Sequence, residues 1–206
     1  MSGAVPADPR PLRLFVALNV ADALRARLHT AAAPLRTLVG DAASWQPAAS
    51  LHLTLRFLGA QPPTLVPPLT AALRSAAAAA EPMTLHATEA GAFPSLDRPR
   101  VLWIGLAAHP ALARLHRLVD DACAGLGLGR EARPFHPHVT VGRLRPGRRP
   151  AGLPAGLRAA AAAVRPALDL PVSTLDLMQS HLSAAGARHA CLAALPLGAC
   201  TTTEVR

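Results

Sequence analysis

Apolar positions along the chain recur at two spacings, and the spacing sorts the segments into strands and helices. From Ser50 to Leu58 they alternate, with Leu53, Leu55 and Phe57 on one side and His52, Thr54 and Arg56 on the other. From Phe135 to Leu144 the same alternation sets Val139 and Val141 against His136, His138 and Thr140. Leu12–Leu18, Met83–Ala92, Val101–Leu106, Leu168–Met178 and Arg188–Leu197 also read as strands, the last two around a turn containing Gly186. Helical spacing marks Ala21–Val39, with Asn19 as its N-cap and Gly40 as its stop. Leu69–Ala80 and Leu157–Val164 follow as shorter helices. Pro110–Leu126 is amphipathic, with Leu112, Leu115, Leu118, Val119 and Ala122 along one side. Strands and helices mix without strict alternation, so an α+β fold with antiparallel sheet is expected.

Two strands share one pattern. His52-Leu-Thr54-Leu and His138-Val-Thr140-Val lie 86 residues apart, each with helical segments before and after. Two pseudo-symmetric lobes follow, each contributing one His-x-Thr strand. Residues 12–197 read as a single bilobal domain between tails at 1–11 and 198–206.

Composition changes this picture little. The 206 residues are 51% apolar, enough for a sizeable core. The formal charge is +9, and all 21 basic residues are Arg. A basic surface favours polyanions, but replacement of Lys by Arg accounts for part of the excess. Cys123, Cys191 and Cys200 form no CxxC pair. Their odd number and wide spacing argue against a disulfide framework and a zinc cluster, and point to a reducing cytoplasm. Leu14–Val20 is too short to span a bilayer, so no membrane association is expected.

The motif faces carry the candidate chemistry. Alternation puts His52 with Thr54 and His138 with Thr140 on polar faces. Two imidazoles meeting across a groove can divide acid and base roles near neutral pH, because imidazole titrates there. The neutral ring takes a proton from water and the protonated ring gives one to a leaving oxygen. Threonine hydroxyls can donate to phosphate oxygens. A single His-x-Thr on a strand is ordinary; its recurrence beside the same apolar alternation is not.

These residues resemble the two-histidine phosphoesterase superfamily, in particular the RNA 2′,3′-cyclic phosphodiesterases also called 2′-5′ RNA ligases. The likeness covers RLFVAL (13–18), WQPAASLHLTLRFLG (45–59), GAFPSLDRPRVLWIGL (91–106), RPFHPHVTVGRL (133–144) and SHLSAAGARHACLAALPL (180–197). It implies two lobes of antiparallel sheet with outer helices around a central, water-filled cleft. Carried over by position, it makes His52 and His138 the catalytic pair, with His52 as proton donor and His138 as acceptor. Thr54 and Thr140 bind the phosphate, and Arg143 contacts it. Strand parity sets Arg143 opposite Thr140, so a bend near Gly142 is needed. The closing hairpin carries His189 where the family often has an aromatic, which changes the expected stacking.

Other groups have plainer readings. His136 is structural, and His29, His86, His109 and His116 are solvated. His181 lies near the cleft rim. Trp45 and Trp103 belong to the core. Arg56 either attracts phosphate from the His52 face or is a solvated surface group. Arg145, Arg148 and Arg149 form a basic loop that either grips RNA or is simply a surface loop. No HExxH and no carboxylate at ligand spacing accompanies either motif, so neither metal nor cofactor is expected. Absence of Lys excludes a P-loop and nucleotidyl-lysine chemistry. The expected activity is hydrolysis of RNA 2′,3′-cyclic phosphate ends to 2′-phosphomonoesters by a monomer acting on RNA ends or small cyclic nucleotides. The rivals are 2′-5′ ligation of tRNA halves and a non-catalytic RNA-binding module.

Overall fold

The computed structural model describes residues 10–165, 168–183 and 186–198. The strands are β1 (Leu12–Asn19), β2 (Ala43–Trp45), β3 (His52–Gln61), β4 (Met83–Phe93), β5 (Val101–Leu106), β6 (His138–Leu144), β7 (Leu168–Val172), β8 (Thr174–Ser183) and β9 (Gly186–Pro196). The helices are α1 (Asp22–Ala31), α2 (Ala33–Val39), α3 (Val66–Ala78), α4 (Pro110–Gly125) and α5 (Leu153–Ala163). All recorded strand pairs are antiparallel, in the order β7-β4-β5-β6-β3-β1-β8-β9. The order divides into two groups of four, β9-β8-β1-β3 and β6-β5-β4-β7. Each motif strand is the innermost member of its group. The groups meet through the pair Leu53↔Val139, and β2 adds to the far end of β6.

Helices cover one face. α3 and α4 pack together over β3, β8 and β9; α2 and α5 pack together, with α5 on β4. Leu53, Leu55, Ile104, Val139 and Val141 lie in the core beneath them. Phe15, Ala17 and Met178 form a separate small cluster on the opposite, helix-free face. The α+β, two-lobed expectation holds.

Several boundaries differ from the sequence reading, mostly for reasons of proline chemistry. The helix expected over 21–39 is two helices broken at Ala32, because Pro34 sits in the first turn of α2 and has no N–H to continue the ladder. Asn19 does not cap α1; its Nδ2 donates to Asp176 Oδ2 at 2.5 Å. α3 starts at Val66, with Pro67 in its opening turn, where an N–H is not needed. α5 likewise starts early, at Leu153 before Pro154. β6 starts at His138, behind Pro137. The strand expected over 168–178 divides at Ser173, and its two parts join different lobes: β7 pairs with β4 and β8 with β1. The apolar phase changes at that crossing, from Leu168, Leu170 and Val172 to Leu175 and Leu177, with the polar pair Ser173 and Thr174 between them. Of the two expected tails, 1–9 and 199–206 lie outside the described residues, as does Cys200.

Both motif strands carry a bulge just past the threonine. Ala17 pairs with Thr54 but Val16 with Arg56, which leaves Leu55 as the extra residue. Trp103 pairs with Thr140 but Leu102 with Gly142, which leaves Val141 extra. An unpaired residue reverses strand parity beyond it. The bend required for Arg143 is therefore present, and Arg143 turns to the same face as Thr140.

The first motif follows the same rule with a different result. Arg56 does not share the cleft face of His52, and Phe57 does not face the core. Arg56 is 6% exposed, and Phe57 is 60% exposed. The Arg56 guanidinium pairs with Asp120 of α4 and donates to the Gly129 carbonyl at 2.6 Å. Asp120 also accepts from the Glu131 N–H at 3.1 Å and pairs with Arg130 at 3.2 Å. Gly142 holds the position equivalent to Arg56, and a Cβ there would lie 2.7 Å from the Trp45 ring.

Removing one partner of a buried ion pair leaves the other charge uncompensated. Asp120→Ala is expected to lower unfolding free energy by roughly 3–5 kcal/mol. Urea denaturation checks this; a loss under about 1 kcal/mol, as for an exposed pair, would contradict it.

Candidate active site

The antiparallel sense around Leu53↔Val139 brings His52 alongside Thr140, and Thr54 alongside His138, on the helix-free face. Thr54, Thr140, His52, Arg143 and His189 line a cavity of about 460 Å³. Phe15, Phe57, Gln46, Ser50, Ser180 and Arg13 contribute to the same wall. His138 stands beside this cavity rather than in its lining. A larger hollow of about 620 Å³ lies elsewhere, between the end of β1, the start of β4 and the β7–β8 crossing. None of its lining side chains is ionisable, so it offers no proton chemistry.

The two histidines are anchored alike. His52 Nδ1 lies 2.8 Å from the Ser50 carbonyl, and His138 Nδ1 lies 2.6 Å from the His136 carbonyl. A carbonyl only accepts, so each Nδ1 carries a hydrogen and each neutral ring has its lone pair on Nε2. Thr54 Oγ1 is 3.1 Å from His52 Nε2 and therefore donates to it. His136 itself is exposed and serves through its backbone.

Aromatic rings frame both imidazoles. His52 packs on Phe15 at 5.0 Å and edge-on against His189 at 5.2 Å. His138 meets Phe93 edge-on at 4.9 Å, with Trp103 at 6.3 Å. Trp103 is thus half-buried on the cleft face, not in the core. Its ring lies over Gly91 and Gly105, where any Cβ would collide with it.

Burial lowers both imidazole pKa values. His52 falls to about 4, chiefly by desolvation; the Ser50 carbonyl opposes the shift, while His189, Arg25 and His138 add to it by charge. His138 is also lowered, by desolvation first, against the His136 carbonyl and with His136 and Arg143. Both rings are therefore neutral at pH 7 in the empty cleft. An anion between them would favour protonation.

The remaining groups fall away from the cleft. His86 pairs with Asp169 on the surface. His29 and His109 are half-buried rather than solvated, and so is His116, stacked on Phe135 at 4.1 Å. The basic loop is tied down: Arg145 Nε donates to the Asp41 carbonyl at 2.9 Å, and Arg148 is 3.8 Å from the Asp41 carboxylate. His181 is exposed. Phe57 was missed by parity. The signal available was the bend that Arg143 required, since the same break in the first motif exports Phe57. Among the described residues, no group of three or more His, Cys, Asp or Glu lies where it could hold a metal ion, and no helix is long and apolar enough to cross a membrane.

The profile of the 2′-5′ RNA ligase superfamily matches residues 20–184. The chain belongs to that superfamily. It is 31% identical over 189 residues to an RNA 2′,3′-cyclic phosphodiesterase of Thermus thermophilus, covering 85% of each chain. It is 38% identical over 110 residues to one of Geobacillus stearothermophilus, a match spanning 50% of this chain and only 35% of that relative. The fold is similar to the crystal structure of TT0787 of Thermus thermophilus, with a TM-score of 0.74 at 27% identity, covering 91% of this chain and 98% of that one. The superfamily membership and the fold read from the motif blocks both hold.

Imidazole NMR tests the proton arrangement. At pH 7 both rings are expected as the neutral Nδ1–H tautomer, with His52 titrating at about 4. Inorganic phosphate is expected to raise both values. A ring protonated on Nε2 alone would refute the anchoring, and unmoved titrations with phosphate bound would refute the shared anion site.

Proposed function

We propose that the protein opens 2′,3′-cyclic phosphate ends of RNA to 2′-phosphomonoesters, with His52 and His138 as the acid–base pair. One observation carries this reading. Two threonine-flanked imidazoles, each with a hydrogen-free Nε2 set by its own backbone-carbonyl anchor, stand on adjoining strands, His52 in the wall of the cavity and His138 beside it.

The step follows from that arrangement. One Nε2 removes a proton from water as the water oxygen bonds to phosphorus. The phosphorus–O3′ bond breaks in line, and the other ring delivers its proton to O3′. With phosphate bound, Thr54 turns its one hydroxyl hydrogen from His52 Nε2 to a non-bridging oxygen, Thr140 donates to another, and Arg143 offsets their charge; such charge-assisted bonds are about twice as strong as neutral ones. Arrival of the phosphate anion supplies the reason for one neutral ring to take up a proton. His52 is the more strongly held in the neutral form, but donor and acceptor follow from kinetics rather than from the empty cleft.

His52→Ala and His138→Ala are each expected to slow hydrolysis of a 2′,3′-cyclic nucleotide by ~10²–10⁴-fold, with EDTA leaving the wild-type rate unchanged. Full activity in either variant would refute the mechanism. Products from cleaved tRNA halves give the direction, and joined RNA as the sole product would overturn hydrolysis.

The pH dependence has a definite sign. The active free enzyme holds one proton on the pair, and both pKa values lie below 6.5. The kcat/KM profile is therefore a bell with an acidic optimum, falling as pH rises to neutral. The alkaline limb of kcat sits at higher pH, because bound phosphate raises the donor's pKa. Coincident limbs in kcat and kcat/KM would contradict this.

A further inference from the structure

Two arginines line the cleft cavity, and the phosphate site accounts for one of them. Arg143 stands beside Thr140, while Arg13 reaches the cavity from β1. No carboxylate lines this cavity. Neither guanidinium pairs with an acid among the described residues. The register Leu14↔Gln179 sets Arg13 next to Ser180, and Ser180 pairs with His189. One row across β1, β8 and β9 thus carries a guanidinium, a hydroxyl and an imidazole, and all three line the cavity.

His189 completes the row as a donor. Its ring leans edge-on against Phe15 at 5.1 Å and His52 at 5.2 Å. Its Nδ1 is buried with no protein partner. A hydrogen there would be a buried donor without an acceptor, so the neutral ring carries its hydrogen on Nε2. This is the reverse of His52 and His138, whose hydrogens sit on Nδ1. Protonation would fill the same buried nitrogen. Burial first, then the charge of His181, holds the His189 pKa below its ordinary value. The row therefore offers donors and positive charge, which is the chemistry of an anion site. It lies four residues along β1 from Ala17, the partner of Thr54, on the order of 13 Å. One nucleotide plus the reach of an arginine side chain covers that length.

We infer that Arg13, Ser180 and His189 form a second anion site in the cleft, which takes the phosphodiester on O5′ of the terminal nucleotide and so favours RNA ends over cyclic mononucleotides. This rests on the phosphodiesterase reading, which puts the first phosphate at Thr54 and Thr140. The plainer role for the row is packing, with His189 against Phe15 and His52 and Arg13 in solvent.

The test is calorimetric binding of 2′-AMP and adenosine 2′,5′-bisphosphate to the wild type, Arg13→Ala, His189→Phe and His189→Gln. The wild type is expected to bind the bisphosphate roughly tenfold tighter than 2′-AMP, the size of one hydrogen bond to a charged group. Arg13→Ala is expected to bring that ratio close to one. His189→Phe keeps a ring against Phe15 and His52 without the N–H, and is expected to cut the ratio severalfold. His189→Gln puts an amide N–H near the Nε2 position and is expected to recover most of it. A dinucleotide with a 2′,3′-cyclic phosphate end is expected to show a lower KM than the cyclic mononucleotide, and Arg13→Ala to erase the difference. Equal binding of the two ligands by the wild type, a ratio unmoved by Arg13→Ala, or a ratio left intact by His189→Phe would each overturn the assignment. Imidazole NMR placing the His189 hydrogen on Nδ1 would do the same. A wild type that prefers the bisphosphate through Arg13 yet hydrolyses no cyclic phosphate would refute the proposed reaction and leave the anion site standing.

Discussion

The arrangement depends on the seam between β3 and β6. Two four-stranded groups that otherwise keep to themselves touch there, with Leu53 opposite Val139 and both side chains sunk into the core. Burial of these two residues fixes which way their neighbours point. With the apolar residues held inward, His52, Thr54, His138 and Thr140 have only the opposite face to occupy. A slip of one residue on either strand would exchange the two sets and put imidazoles into hydrocarbon. Hydrophobic packing thus sets the register, and the register sets the chemistry.

The bulges add a second level of control. A regular strand would give the cleft one polar side chain at every other position. Inserting Leu55 and Val141 breaks that rhythm after the threonines, so the following residues exchange faces. The lobes use the exchange differently. In one, the core-facing position is Arg56, neutralised by Asp120 and the loop after α4. In the other it is Gly142, because the Trp45 ring occupies the space. The cost of burying Arg56 falls on the scaffold, away from the reacting groups.

Much of this was legible in the sequence. The paired His-x-Thr strands announced two lobes, because alternation and residue type recur together. The need for a bend at Gly142 could be stated from parity alone, since Arg143 cannot otherwise reach the face of Thr140. The matching bend in the first motif was legible only by analogy with the second, not from its own residues. Leu55, Arg56 and Phe57 fit an unbroken alternation, and nothing local betrays an extra residue. Asp120, the partner that makes burial of Arg56 tolerable, is 64 positions away in sequence. At Ser173 the change of apolar phase marks a break, but nothing local says that the partners on either side belong to different lobes. Trp103 looked like core because large aromatic residues usually are. Its placement on the cleft face depends on two glycines from two strands, which no single stretch displays.

The carbonyl anchors of the imidazoles span only two residues, His52 to Ser50 and His138 to His136. Each nitrogen's bare or hydrogen-bearing state is therefore a property of a short run of backbone, independent of the other half. A change in angle between the halves widens or narrows the gap between the two Nε2 atoms and leaves their valence untouched. Which atoms are able to receive a proton is thus fixed by the local chain, not by how the two halves meet.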